Sequence, residues 1–453
     1  MNAQNSSSLS FIDTLCDELK NSTAFDISTR DNVDIKRGLR NADGTGVMAG
    51  CTKIGSVQGY AIIDGEKAPM EGRLIYRGYD INQLISGFTR EKRFGFEEVA
   101  YLLLCGHLPS QADYDAFRQL LSDNMSLPAG FTEDMILKAP SNNIMNKLAR
   151  SVLALYSYDS NPDSTDLGNM VRQSILLLAR FPMIVAHAYA AKVHYFDGGS
   201  LVLHWPVPGY SIAETFLHAI RPDSKFTEEE ARLLDLCLVI HAEHGGGNNS
   251  AFACRVLSSS GTDTYSAIAA AVGSLKGPKH GGANQQVSAM FDEIKRGVHD
   301  WKDDDEISAY LEKILKKEAG DGSGLIYGMG HAIYTKSDPR ALVLRHSARA
   351  LAEKTGLLEE LELLESIERL SPGVFHRVTG SDKVMCANVD FYSGLVYRML
   401  NIPEELFTPL FAVARIAGWC SHRIEEVMTG GRIIRPAYKS LNQSRTYVPM
   451  GKR

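Results

Sequence analysis

The sequence predicts a mainly α, multi-helical chain with one small β-hairpin near its N-terminus. Three observations carry this reading. Apolar residues recur at helical spacing in segment after segment, as at Ile144, Leu148, Val152 and Leu155. Clear strand material is confined to residues 52–80. The chain has 453 residues, 44% of them hydrophobic and 23% charged, enough for a large core and, by length, two domains.

Taken in order, residues 1–45 carry one short helix at 11–20 and a polar lead-in. Tyr60-Ala61-Ile62-Ile63 reads as a strand, Asp64-Gly65 as a turn, and Arg73-Leu74-Ile75-Tyr76 as the returning strand. Arg77-Gly78-Tyr79-Asp80 closes that section with a turn. The stretch from Gln58 to Gly72 is long for such a hairpin. Helices are then expected at 97–105, 111–124, 141–157, 166–195, 210–220, 227–243, 247–259, 262–275, 283–296, 305–318, 339–354, 357–369, 391–400 and 404–427. Thr227 followed by Glu230 is a capping-box pattern, in which each side chain satisfies the other's backbone N–H. The run Asp303-Asp304-Asp305-Glu306 suits a solvated helix start, where the dipole favours negative charge. Residues 175–191 are the most apolar stretch, but they are short for a membrane span. They contain Arg180, Pro182 and His187, which fits a buried, kinked helix.

Composition excludes several classes of partner. A net charge of -6 argues against nucleic acid and anionic membrane surfaces. Seven scattered cysteines without a CxxC spacing fit a reducing compartment, and the polar N-terminus lacks a signal-peptide pattern, so a cytoplasmic protein is expected. Gly320-Asp321-Gly322-Ser323-Gly324 lacks the strand–GxGxxG–helix context of a dinucleotide site.

Four polar clusters stand out. The first is His241-Ala242-Glu243-His244 followed by Gly245-Gly246-Gly247-Asn248-Asn249-Ser250, at the end of an apolar helix. Its two histidines could share a helix face, but HxxH is not HExxH and no third ligand is evident, so no metal is expected. The second is Gly277-Pro278-Lys279-His280-Gly281-Gly282, which offers a histidine at the start of a helix. The dipole there favours a neutral imidazole, able to donate to a developing enolate oxygen, and the two glycines let a ligand or a second backbone come close. The third is Gly328-Met329-Gly330-His331 with Tyr334, then Asp338-Pro339-Arg340. The fourth is Asn388-Val389-Asp390-Phe391-Tyr392-Ser393-Gly394. Arg415 and Arg435 lie within apolar patterns; each could serve a structural ion pair, but together with three turn histidines and an aspartate they suggest a pocket for a small polycarboxylate.

These segments, with Arg77-Gly78-Tyr79-Asp80-Ile81 and Arg435-Pro436, resemble the citrate synthase family in kind and order, from about residue 35 to 440. The resemblance implies a two-domain multi-helical fold. Residues 1–275 and 392–453 would form the large domain, and residues 276–391 a small domain closing over the active site. It implies condensation of acetyl-CoA with oxaloacetate by an acyltransferase that needs no cofactor, and a homodimer or a higher oligomer. Catalysis falls to His280, His331 and Asp390. His244, Arg340, Arg415 and Arg435 hold the carboxylates, with Arg435 reaching the neighbouring subunit. Tyr327, Gly328, Met329 and Gly330 would line CoA, and Lys336 and Lys383 are weaker candidates for its phosphates. Two departures accompany this. The usual aromatic of Gly-aromatic-Gly-His is Met329, and Ala332-Ile333-Tyr334-Thr335-Lys336 displaces the basic residue that follows the histidine in many bacterial members. The same chemistry on propionyl-CoA, a 2-methylcitrate synthase, is the main alternative, since one methylene is discriminated by only about 1–3 kcal/mol. Citryl-CoA or citrate cleavage would bring a ligase region, which the chain lacks, and a non-catalytic polycarboxylate sensor would not need Asp390.

Overall fold

The computed structural model describes residues 11–20, 35–440 and 444–453. The chain divides into two compact units, Met1–Gly50 and Cys51–Arg453. In the first, α1 (residues 11–20) is helical as expected and exposed along its length. Asn41 donates from its backbone to the Thr45 carbonyl at 2.8 Å, and Arg40 bridges Gly46.

The second unit begins with an antiparallel sheet in the order β1 (Gly55–Ile63), β2 (Glu66–Tyr76), β3 (Tyr79–Asp80). Register runs from Gly55 opposite Tyr76 to Ile63 opposite Glu66, with an irregularity between Gln58 and Tyr60. Both turn residues, Asp64 and Gly65, have positive φ, at 52° and 83°, which matches the right-handed twist of a tight hairpin. The excess length of this hairpin forms an arm laid on the segment after His331. Thr335 Oγ1 bonds the Gly59 and Met70 carbonyls, and Gly72 N donates to Ser337 Oγ at 3.1 Å. A Cβ on Gly72 would stand 2.1 Å from the Ser337 carbonyl oxygen, so the contact requires glycine.

The remainder is helical: α2 (Ile81–Arg90), α3 (Phe96–Cys105), α4 (Gln111–Asp123), α5 (Ile144–Leu155), α6 (Leu167–Phe196), α7 (Ile212–Ile220), α8 (Glu228–His241), α9 (Asn249–Ser258), α10 (Thr264–Leu275), α11 (Ala283–Gly297), α12 (Asp304–Leu315), α13 (Pro339–Thr355), α14 (Leu358–Thr379), α15 (Val389–Met399) and α16 (Phe407–Met428). The sequence reading missed α2. Asp80 caps it by accepting from Asn82 N, and Ile81, Leu84 and Phe88 are buried, but Asn82, Ser86 and Gly87 dilute the pattern. It also stopped α14 at residue 369, while the helix runs on through Pro372 to Thr379. A proline removes one N–H but does not end a helix whose flanks, here Ile367 and Val374, are locked in the core. α6 likewise continues through Pro182. That helix is long and apolar enough to cross a membrane, yet 72% of its most apolar window is buried inside the fold. The capping box at Thr227 and Glu230 and the Asp303 cap of α12 form as expected.

α16 is the hub. It packs on α3, α6, α8, α9 and α10, and a run from Phe407 to Arg423 is almost wholly buried. A second group, α11 to α15, packs chiefly among itself through α12–α14, α13–α15 and α11–α15. The two groups meet where α13 touches α8 and β2 and where α11 touches α16. The predicted polar clusters lie at the ends of these same helices.

Candidate active site

α8 ends at His241, so the loop that follows, not a shared helix face, carries His244. His241 turns back and its Nδ1 bonds the Cys237 carbonyl at 2.7 Å. His244 is buried, and its ring meets those of His331 at 5.2 Å and Tyr334 at 5.6 Å. Burial, reinforced by Arg340, holds His244 well below the usual histidine range, so it is neutral. Its Nε2 has no partner among the described residues.

His331 has a defined tautomer. Its Nδ1 accepts from the backbone N–H groups of Ile333 (3.0 Å) and Tyr334 (3.1 Å). A neutral ring that accepts at Nδ1 carries its proton on Nε2 and is a donor there. Its ring rests on Tyr334, with centroids 4.6 Å apart.

Asp390 lies in the first turn of α15. Burial pushes its carboxyl up to about 6, against the pull of Arg340 and Arg415. A carboxyl with a pKa near 6 can both take up and release a proton near neutral pH. The segment bearing His331 is zipped to the one bearing Asp390. Gly330 N donates to the Cys386 carbonyl at 2.7 Å, Asn388 N donates to the Gly328 carbonyl at 2.8 Å, and Met329 pairs with Ala387.

His280 precedes α11, whose N-cap is Gly282. Burial, then Arg415, lowers its pKa to about 4, so it is neutral as expected. Its Nε2 lies 3.1 Å from Ser250 Oγ, and that oxygen accepts from Trp419 Nε1 at 3.1 Å. A neutral ring that accepts the Ser250 hydroxyl at Nε2 carries its proton on Nδ1 and is a donor there. Of the two neighbours that Gly281 and Gly282 could admit, a ligand or a second backbone, the structure seats backbone. A Cβ on Gly281 would meet the Leu275 carbonyl oxygen at 2.2 Å and Thr408 Cγ2 at 2.6 Å, and one on Gly282 would meet Pro278 Cα at 2.8 Å. These glycines let the chain fold tightly on itself and set the histidine.

The arginines differ sharply. Arg415 is fully buried, and its Nε donates to the His241 carbonyl at 2.7 Å. Its Nη1 and Nη2 have no partner among the described residues. Its guanidinium lies 4.7 Å over the Phe411 ring, whose centroid is 6.3 Å from that of His280. Burial lowers Arg415 to about 10 despite the nearby Glu243 carboxylate. Arg340, buried at the start of α13, already commits Nε and Nη2 to Asp338 at 3.0 and 2.7 Å. Arg435 lies exposed on the extended C-terminal segment. Buried donors without partners are rare and call for a ligand. Arg415 presents two such donors and His244 Nε2 a third unpartnered polar atom, in a setting that also holds two neutral histidine donors and a raised carboxyl.

The CoA candidates divide. Tyr327 donates from its hydroxyl to Asp321 at 2.6 Å, and the backbone of Gly328 and Gly330 is engaged with residues 386–388. Lys336 and Lys383 are exposed. Sequence reasoning assigned no part to Ser250, Tyr334, Asn388, Phe411 or Trp419. Ser250, Tyr334 and Asn388 sat inside clusters it had marked, so proximity to the histidines and Asp390 was their signal. Phe411 and Trp419 read as ordinary core.

Residues 42–437 match the family described as citrate synthase, C-terminal domain. The chain is 34% identical over 429 residues to the citrate synthase of Synechocystis sp., covering 93% of this chain and 95% of that one. It is 30% identical to a 2-methylcitrate synthase of Shewanella oneidensis, covering 84% and 92% respectively. Among solved structures, citrate synthase from Pyrobaculum aerophilum superposes with a TM-score of 0.73 at 28% identity, covering 90% of this chain and 94% of that one. The citrate synthase of Thermoplasma acidophilum, solved with carboxymethyl coenzyme A and oxaloacetate, gives 0.73 at 25% identity, covering 93% and 100%. With the site geometry and a match over nearly its whole length, this chain belongs to the citrate synthase family.

Proposed function

We propose that the protein is an acyltransferase that condenses acetyl-CoA with oxaloacetate and hydrolyses the resulting citryl-thioester to citrate and CoA. The observation that carries this is Arg415, a fully buried guanidinium with both terminal NH2 groups unclaimed, beside the buried His244. A planar fork in a closed site suits a carboxylate, which takes two parallel hydrogen bonds.

The Asp390 carboxylate removes a proton from the acetyl methyl group. That carbon is a very weak acid, so the negative charge must be met as it forms. Neutral His280 donates to the thioester oxygen. His331 donates from Nε2 to the ketone oxygen of oxaloacetate while the new carbon–carbon bond forms at that carbonyl. Arg415 and His244 hold the substrate carboxylates, with Arg340 beside them. Water then cleaves the thioester and frees CoA. Residues 276–391 act as a small domain that closes over the substrates and excludes water until the enolate is consumed. Lys336 and Lys383 meet the CoA phosphates, next to the segment Tyr327 to Gly330. Arg435 completes the carboxylate site of a second subunit in a cytoplasmic homodimer. Its exposed position on the C-terminal segment supports that reading.

The test is release of free thiol from acetyl-CoA and from propionyl-CoA, each with oxaloacetate. Acetyl-CoA is expected to give the higher specificity constant. A preference for propionyl-CoA would make the protein a 2-methylcitrate synthase, and no thiol from either would end the synthase reading.

A further inference from the structure

Behind His244 runs a chain of buried polar groups that the reaction above does not use. Arg255 donates from Nε to His422 Nδ1 at 3.1 Å. An accepting Nδ1 leaves the ring proton on Nε2, which lies 2.9 Å from Glu243 Oε1. The Gly245 backbone N–H donates to the same oxygen. Glu243 and His422 are both 0% exposed. The far end is tied down, because Arg255 also pairs with Glu426 at 2.7 Å and with Glu425. Glu243 is therefore a carboxylate held in place by neutral donors.

Its other oxygen, Oε2, has no partner among the described residues. It lies against α16, where a Cβ on Gly418 would come within 2.4 Å of it. Gly418 is about one helical turn beyond Arg415. The two opposite charges are thus enclosed against one helix, and the Arg415 NH2 groups are not taken up by Glu243. Burial raises the Glu243 carboxyl, but the hydrogen bonds from His422 and the Gly245 backbone, with the charge of Arg415, outweigh it and keep the group ionised. A buried cation without a counter-charge is costly, and a partner bonded directly to the fork would block the substrate. Glu243 meets the first requirement without the second problem.

We propose that Glu243 tunes the affinity of this site for dicarboxylate and tricarboxylate anions. While the site is empty it stabilises the Arg415 cation. Once a substrate carboxylate occupies the fork, the same charge repels it, and binding stays weak enough for product to leave. Glu243 acts through Arg415 and is a positioning residue that touches no reacting atom. The proposal rests on Arg415 being the carboxylate fork.

The experiment measures Kd for oxaloacetate and for citrate by calorimetry, with KM and kcat, on Glu243→Gln, Glu243→Asp and Arg415→Lys. Removing one unit charge enclosed with the fork against α16 is expected to tighten both ligands about tenfold. In Glu243→Gln the KM for oxaloacetate falls, and kcat falls with it because citrate leaves slowly. Glu243→Asp keeps the charge but draws it back by one methylene, and a two- to threefold tightening is expected (an estimate on the same basis). A merely structural role for Glu243 would weaken ligands or lower kcat, and would not tighten binding. If neither Glu243 variant binds oxaloacetate more tightly than the unaltered protein, the proposal is overturned. Arg415→Lys is expected to weaken oxaloacetate binding about a hundredfold. If it binds normally, the fork assignment fails first, and that outcome is separate from failure of the tuning.

Discussion

The Asn388 side chain joins the two halves of the site: its Nδ2 donates to the Gly330 carbonyl at 3.0 Å while its Oδ1 accepts from Asp390 N at 3.0 Å. One residue thus fixes the loop that ends in His331 against the helix whose first turn carries Asp390. Asn388→Ser keeps a cap for α15 but cannot reach Gly330, whereas Asn388→Ala loses both bonds. We expect kcat to fall about tenfold in the first and about a hundredfold in the second, since small misplacements of reacting groups are that costly. Exchange of acetyl-CoA methyl protons with deuterium should fall in parallel. Unchanged exchange with lowered kcat would place the defect in hydrolysis instead.

Asp390 makes turnover depend on pH. Its carboxyl titrates near 6 in the folded protein, above the usual aspartate value, and only the ionised form is a base. The rate should therefore fall tenfold per pH unit below about 6. His280, lowered to about 4, adds no limb between pH 5 and 8, and His244 is held well below the usual histidine range by burial and Arg340. A carboxyl whose folded pKa is raised contributes stability below its unfolded value, near 4, and loses it as pH rises through 6. Asp390→Asn should abolish turnover yet raise Tm at pH 8, by about 1–3 kcal/mol of unfolding free energy, with little effect at pH 4. A variant equally stable relative to the unaltered protein at both pH values would contradict the raised pKa.

Gly281 separates two readings of the His280 turn. If its missing Cβ made space for a thioester, Gly281→Ala would fold normally and raise only the KM for acetyl-CoA. The contacts at 2.2 Å to the Leu275 carbonyl oxygen and 2.6 Å to Thr408 point elsewhere. We expect a drop in stability of about 2–4 kcal/mol by thermal unfolding, as for other overpacked or strained core sites. In whatever folds, kcat should fall more than oxaloacetate affinity, because His280 is displaced and Arg415 is not.

Arg415 predicts a ligand effect on stability. With both NH2 groups unclaimed in a closed site, the free protein holds an unsatisfied buried cation. Oxaloacetate at about a hundred times its Kd should stabilise the protein by about 2.7 kcal/mol. A neutral dicarbonyl of the same size should not. Arg415→Lys should raise the KM for oxaloacetate by about two orders of magnitude, since an ammonium cannot form the two parallel bonds.

Much of this was legible in the sequence because helix periodicity and cap residues are local signals. The predicted helices sit within a few residues of the observed ones wherever the apolar stripe is clean, as in α5, α6 and α10. α2 escaped because its stripe is short, and the tail of α14 escaped because tertiary packing overrode Pro372. The histidines and Asp390 were findable because glycine turns and buried charge are unusual. Ser250, Glu243 and His422 were harder. Their importance lies in which atoms they face across about 30 to 180 residues of chain, and composition carries no trace of that. Which neighbour Gly281 admits was hidden for the same reason, since Thr408 packs against it from far along the sequence.

The hairpin arm has a consequence for how the enzyme comes into being. Met70 N and Gly72 N reach across 265 residues to Thr335 and Ser337, in the strap between His331 and Arg340. Arg415 and its Phe411 platform arrive later still. Contacts so remote close slowly, because a long loop must be ordered before they return any free energy. A growing chain can therefore bury its first helices and its hairpin while it has no dicarboxylate site at all. Catalytic competence is then expected to appear last during synthesis, only after α16 has threaded through a largely built shell.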